Sequence, residues 1–123
     1  NLVCEICGTK CYLAGPLWIE SLFDSEFVGE MINELKNNEN YPPSTNNCQR
    51  ILRMIQTCEK DLGYPYYFET DTIAAMAKRS SISLDKVVNT LSDNGFIASK
   101  TIMNPKGFKT NASQKEIIDF LYK

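Results

Sequence analysis

Histidine is absent from this 123-residue chain. That removes the side chain that most often moves protons near neutral pH, the Ser-His and Cys-His nucleophile pairs, and every histidine-containing metal site. Long apolar runs are missing too: no stretch approaches the ~18–20 residues needed to cross a bilayer, and no signal peptide opens the sequence. With no GxGxxG and no P-loop, nothing is built to cradle the phosphates of a cofactor. Glu26 and Glu30 stand at i, i+4 spacing on the solvent side of a helical stretch, the pattern of an exposed face rather than of a catalytic pair. No internal repeat is present. On its own, this chain is not expected to catalyse a reaction.

What is present suffices for a real core. Hydrophobic residues make up 43% of the chain, which fits one domain or one domain with an N-terminal appendage. The pattern predicts a mainly helical α+β fold. Thr70 can cap a helix that turns Ile73, Ala74, Met76 and Ala77 inward. Ser80-Ser81 breaks it, and Ser83 can cap a second helix carrying Leu84, Val87, Val88 and Leu91 at helical spacing. Gly95 stands where a left-handed helix stop belongs. Residues 96–102 read as a strand, Asn104-Pro105-Lys106-Gly107 suits a type I turn, and 108–110 return as the partner strand. Helix, turn, helix and hairpin is the order of a winged-helix-like unit.

Charge is concentrated there. Residues 71–111 hold six cations (Lys78, Arg79, Lys86, Lys100, Lys106 and Lys109) against Asp71, Asp85 and Asp93, although the whole chain has a net charge of −2. Four of the six lie at the inter-helix turn or near the hairpin tip, where such a unit meets a nucleic-acid backbone. The plainer reading is an ordinarily solvated surface.

Around this unit the chain reads as further helices. Asp24 can cap one whose apolar face is Phe27, Val28, Met31, Ile32 and Leu35. The polar, proline-containing residues 37–43 form a loop. A longer helix over about 45–62, ended by Gly63, turns Cys48, Ile51, Leu52, Ile55, Cys58 and Leu62 to one face, with Arg50 and Arg53 turned away from it. The aromatic run from Tyr64 to Phe68 either plugs a small core or offers tyrosines that stack on bases. Ser113 and Glu116 form a capping box before a closing helix with Ile117, Ile118 and Leu121.

The chain holds five cysteines. Cys4-Glu5-Ile6-Cys7-Gly8 is a knuckle by which two thiolates grip one zinc ion, and a tetrahedral site needs four ligands. Cys4 and Cys7 are therefore half a site. Cys11 is a conceivable third ligand, although its strand context suggests packing, and Cys48 and Cys58 read as buried thiols acting as small hydrophobes. A half-site with an odd cysteine count argues for a reducing, cytoplasmic setting, or a nuclear one in a eukaryote. The first residue is Asn1 rather than Met, which leads us to expect a piece of a longer product with the second CxxC upstream. Next, Ala14-Gly15-Pro16-Leu17-Trp18-Ile19 gives a sharp turn with a large apolar side chain. It is an ordinary structural turn, or a docking segment (Gly15, Pro16, Leu17, Trp18) for a preceding domain.

Two blocks carry a family resemblance. Cys4-Glu-Ile-Cys-Gly followed by Ala14-Gly-Pro-Leu-Trp-Ile and Leu22-Phe-Asp-Ser-Glu-Phe27-Val resembles the stretch joining the two domains of the tRNA guanine-26 N2-dimethyltransferases. The run from Ser99 to Ala112 is similar to that family's hairpin, approximately S-R-T-H-F-x-P-x-G-x-K-T-D/N-A. The resemblance implies the carboxy-terminal, tRNA-binding half of an enzyme whose amino-terminal half binds S-adenosylmethionine and methylates a guanine N2. It implies tRNA and that catalytic domain as partners, S-adenosylmethionine in the absent half, and zinc in the intact protein. Lys109, Thr110 and Asn111 match the family pattern and become the best RNA-facing candidates, beside Lys78, Arg79, Lys86, Lys100 and Lys106. Lys100 and Ile102 depart from it, standing where the family has Arg and His, so a role for that histidine does not carry over.

The division expected is 1–23, holding the half-knuckle and docking segment, and 24–123, the helical and winged-helix tRNA-binding domain. Two other classes compete: a winged-helix DNA-binding regulator, disfavoured because Lys86 faces Asp85 and Asp93 within its second helix, and a protein-interaction module.

Overall fold

The computed structural model describes residues 2–5, 8–13, 15–40, 42 and 44–122. Near the start, a bridge pairs Val3 with Lys10, and Gly8 turns the chain at φ +70° while donating its N–H to the Cys4 carbonyl. Tyr12, Leu13, Leu17, Trp18 and Ile19 are all exposed, Trp18 at 65%.

Helix α1 (Ser25–Asn37) starts where Asp24 accepts the N–H groups of Glu26 and Phe27. Helix α2 (Asn46–Lys60) starts at Thr45, whose hydroxyl accepts from the Cys48 N–H. The two helices pack around Val28, Ile32 and Ile55, with Phe23, Leu35, Leu52 and Cys58 against them. Helix α2 stops at Asp61, two residues before the glycine expected to end it. The reason is tertiary: Asp61 and Leu62 are drawn out of the helix by bonds to the distant hairpin.

The second unit begins with strand β1 (Phe68–Glu69), then α3 (Thr70–Ala77), α4 (Leu84–Asp93), β2 (Ala98–Lys100), β3 (Gly107–Thr110) and α5 (Gln114–Leu121). The strands form one antiparallel sheet in the order β1-β3-β2, with Phe68 opposite Phe108 and Lys100 also opposite Phe108 on the other side. Its core is Ile73, Val87, Leu91, Phe108, Ala112 and Ile117. A mixed helical and antiparallel-sheet chain, as expected, is what results.

Several local signals hold and some shift. Helix α3 is led by Glu69, not Thr70, which is buried as its first residue and donates its N–H to the Lys106 carbonyl. Its stop is Lys78, a non-glycine residue in the left-handed region at φ 54°, rather than the serine pair. Met76 is 50% exposed, not inward. Gly95 stands at φ +85°, and the N–H groups of Gly95 and Phe96 return to the carbonyls of Ser92 and Leu91. The hairpin turn closes with Gly107 N–H donating to the Asn104 carbonyl. Gly107 is needed for space: a Cβ there would lie 2.7 Å from Thr101 Cγ2. Ser113 and Glu116 make the capping box of α5. Among the described residues no helix is long and apolar enough to cross a membrane.

Candidate nucleic-acid interface

The cations singled out by sequence take three different positions. Lys106, in the hairpin turn, pairs with Asp71 in the first turn of α3, and Asp71 also accepts from the Ser81 hydroxyl. The inter-helix loop, the start of α3 and the hairpin turn are thereby drawn together. The Lys106 bond, then the Ser81 bond, hold the Asp71 carboxyl below its usual range, while the bond to Asp71 holds the Lys106 ammonium above its own. Lys100 pairs with Asp85 in the first turn of α4. Both pairs are solvent-exposed, so each is worth little to stability and can open toward another anion. Lys78, Arg79 and Lys86 are exposed and have no ion-pair partner among the described residues.

Lys109 is the exception and overturns an expectation. It is 1% exposed, its Nζ is 3.0 Å from Asp61 Oδ1, and it donates to the Leu62 carbonyl at 2.9 Å. Thr110 is 2% exposed. Alternation along β3 sends Phe108 into the helical core and Lys109 to the opposite face. That face is covered by the end of α2 rather than by water, while Thr110, on the Phe108 face, is buried with its hydroxyl accepting from the Ala112 N–H at 3.2 Å, so neither Lys109 nor Thr110 presents a group to an RNA. Asn111 is exposed, but its Oδ1 accepts from the Ile97 N–H at 2.8 Å and so fastens the hairpin.

A further basic surface was not legible from charge counts. Arg53, Gln56, Thr57 and Lys60 line one face of α2. With Val88 and with Ala98, Ser99 and Lys100 of β2, they enclose an open groove of about 420 Å³. No acidic residue lines it. The available signal was the pairing of Arg53 and Lys60 seven residues apart, two helical turns on one face, but which element that face would meet is invisible in sequence.

Within the aromatic run, Tyr66 lies against Tyr64 and Phe68 with ring centroids 6.3 and 6.0 Å apart. Phe68 packs on the fully buried Phe108 with ring centroids 5.8 Å apart, whereas Tyr66 and Tyr67 stay exposed at 55% and 41%.

Comparison with known proteins places this geometry. The model of a family described as N2,N2-dimethylguanosine tRNA methyltransferase matches residues 2–122. The chain belongs to this family. Proteins named tRNA (guanine(26)-N(2))-dimethyltransferase from Methanobrevibacter smithii and Methanothermobacter thermautotrophicus are each 33% identical to it, over 97% and 96% of this chain. The namesake from Saccharolobus islandicus is 34% identical over 94%. The chain spans only about 30% of the length of these relatives. Trm1 from Pyrococcus horikoshii, solved in complex with S-adenosyl-L-methionine, shares the fold with a TM-score of 0.72 and 24% identity, over 86% of this chain and 27% of its own.

The groups this family implies can be tested against the residues here. For S-adenosylmethionine they do not fit: no glycine lines the basic groove or the groove between α1 and α2, so neither offers the close backbone approach of a nucleoside cofactor site. For zinc the fit is partial. The turn around Cys4 has the paired backbone and left-handed Gly8 of a metal-gripping knuckle, but Cys7 lies outside the described residues. Cys11 is exposed rather than packed. No cluster of three or more metal-binding side chains exists among the described residues. Cys48 is buried and Cys58 half-buried, as small hydrophobes; burial, then nearby Asp61, pushes the Cys58 thiol up.

Proposed function

We propose that this chain is the tRNA-positioning part of an S-adenosylmethionine-dependent methyltransferase that dimethylates N2 of guanine 26 in tRNA. The reading rests on family membership and one structural observation: Asp71 joins the inter-helix loop to the hairpin turn and so gathers basic residues from both. The order α2-β1-α3-α4-β2-β3 with sheet order β1-β3-β2 supports a winged-helix reading of residues 46–110. Lys78, Arg79, Lys86, Lys100 and Lys106 hold phosphates of the folded tRNA, which fixes which guanine reaches the methyl donor. The donor is bound, and the chemistry done, by the part of the relatives' length that this chain does not span. The exposed Gly15-Pro16-Leu17-Trp18 segment docks onto that part, and residues 1–23 form the joint between the two, with zinc at Cys4 and Cys7 completed from outside. The protein works where tRNA is found, inside the cell.

A duplex-DNA regulator fits less well, because α4 sets Lys86 between Asp85 and Asp93 and would bring two acids toward a major groove. The test is binding of a tRNA transcript followed by fluorescence anisotropy across a salt series. Affinity should fall with salt by roughly 0.7–0.9 log units per log unit of salt for each phosphate held. Reversing Arg79, Lys86 and Lys106 to Glu should weaken binding further. Salt-independent binding, or reversal without effect, defeats the reading.

A further inference from the structure

The groove between α2 and β2 shares Lys100 with the cations already assigned to phosphates, and the family resemblance marks neither of its α2 cations. Arg53 and Lys60 sit about 10 Å apart along the helix axis, one at each end of a single face. Lys100 faces them from β2, its ammonium shared with Asp85 of α4. Between the cations lie Gln56 and Thr57, over a floor of Val88 and Ala98; the Thr57 hydroxyl donates to the Arg53 carbonyl at 2.9 Å, which leaves its oxygen to accept from a sugar hydroxyl. The groove is open, and although Asp85 meets the charge of Lys100, Arg53 and Lys60 have no ion-pair partner among the described residues, so a lone small anion would leave one of these two unmatched.

Its walls are also held in fixed relation. The Leu62 N–H donates to Ser99 Oγ at 3.1 Å, and the buried Lys109 joins Asp61 and the Leu62 carbonyl just beyond Lys60. The end of α2 is thus fastened to the hairpin, and the two sides of the groove cannot drift apart without breaking a buried charge pair.

We propose that this groove is a second RNA contact, which takes a run of the sugar-phosphate backbone across α2 with Arg53 and Lys60 on its phosphates and Gln56 and Thr57 on its 2′-hydroxyls. The proposal rests on the RNA-binding reading above and extends it from the wing to the helical hairpin. An RNA held at both surfaces is fixed in orientation as well as in place, which a single patch of lysines cannot do.

The test is the double variant Arg53→Gln/Lys60→Gln, both side chains being exposed and free of ion pairs among the described residues. Anisotropy with a tRNA transcript should show roughly tenfold weaker binding and a salt slope shallower by ~1.5, with an unchanged circular dichroism melt. Lys60 should also be shielded by tRNA from acetylation by an N-hydroxysuccinimide ester. A parent chain that binds tRNA and a double variant that matches it in affinity and slope would overturn the groove while leaving the wing contact standing. Equal loss of binding to a DNA duplex of the same length would overturn the assignment to RNA. No binding of tRNA by the parent chain would defeat the functional reading itself, and the groove with it.

Discussion

Lys109 and Asp61, 48 positions apart in the chain, form a buried ion pair with Nζ 3.0 Å from Oδ1 and side-chain exposures of 1% and 0%. Asp61 Oδ2 also accepts from the Thr101 hydroxyl at 2.8 Å, whereas Oδ1 has the ammonium as a charge contact without the alignment of a hydrogen bond. This pair joins two hydrophobic cores that otherwise share few side chains, one between α1 and α2 and one beneath the sheet.

Removing one partner strands the other in the interior. Asp61→Ala should therefore cost about 3–5 kcal/mol, and Lys109→Ala a comparable amount, read from urea melts. Replacing both together, Asp61→Leu with Lys109→Met, should cost much less than the two single changes summed. A double-mutant cycle with no coupling would show the pair to be unimportant. Lys109→Met should leave the salt slope of tRNA binding unchanged in whatever fraction stays folded, since this ammonium does not reach the surface.

Lys78 separates stability from binding at one position. Its left-handed backbone suits glycine, so Lys78→Gly should raise stability by about 1 kcal/mol. The same change removes an exposed cation and should weaken tRNA binding. Thermal melts and anisotropy should move in opposite directions.

Gly107 is constrained by its neighbours rather than by its backbone angle. Its missing Cβ would meet Thr101 Cγ2 at 2.7 Å and the Asn104 Cβ and carbonyl oxygen at 3.1 Å. Gly107→Ala should cost about 1–3 kcal/mol by overpacking the turn. Pairing it with Thr101→Ser, which removes that methyl, should restore part of the loss.

Acid should unfasten the same turn and the last helix. The Glu116 carboxyl is held below its ordinary value of 4.5 by the Ser113 hydroxyl and N–H, and Asp71 below 3.8 by Lys106 and Ser81. A carboxyl depressed in the folded state adds stability that is fully present above its unfolded value and is lost as pH falls through the folded one. Stability should thus decline as pH drops below about 4.5, and Glu116→Gln should flatten part of that decline in a pH series of denaturant melts. An identical pH profile for the variant would remove the capping box from the account.

Local chemistry made much of the fold readable. The Asp24 cap, the Ser113–Glu116 box, the Gly95 stop and the Asn104–Gly107 turn each depend on groups within about five residues, so their signals lie side by side in the sequence. Strand β1 escaped notice because it is two residues long and exists only by pairing with β3. Exposed apolar positions were hidden for a related reason: Phe27 and Met31 share the apolar face of α1, yet the packing with α2 takes in Val28, Ile32 and Leu35 and leaves those two exposed.

The sequence by itself determined the helices and hairpin and the basic excess in their turns, because composition and short-range bonding decide those things. Only the tertiary structure decided that Lys109 is a buried clamp and that Arg53 and Lys60 face Lys100 across a groove. A charge on a strand reads the same whether water or another helix lies over it, and which of these it meets is settled by contacts forty or more residues away.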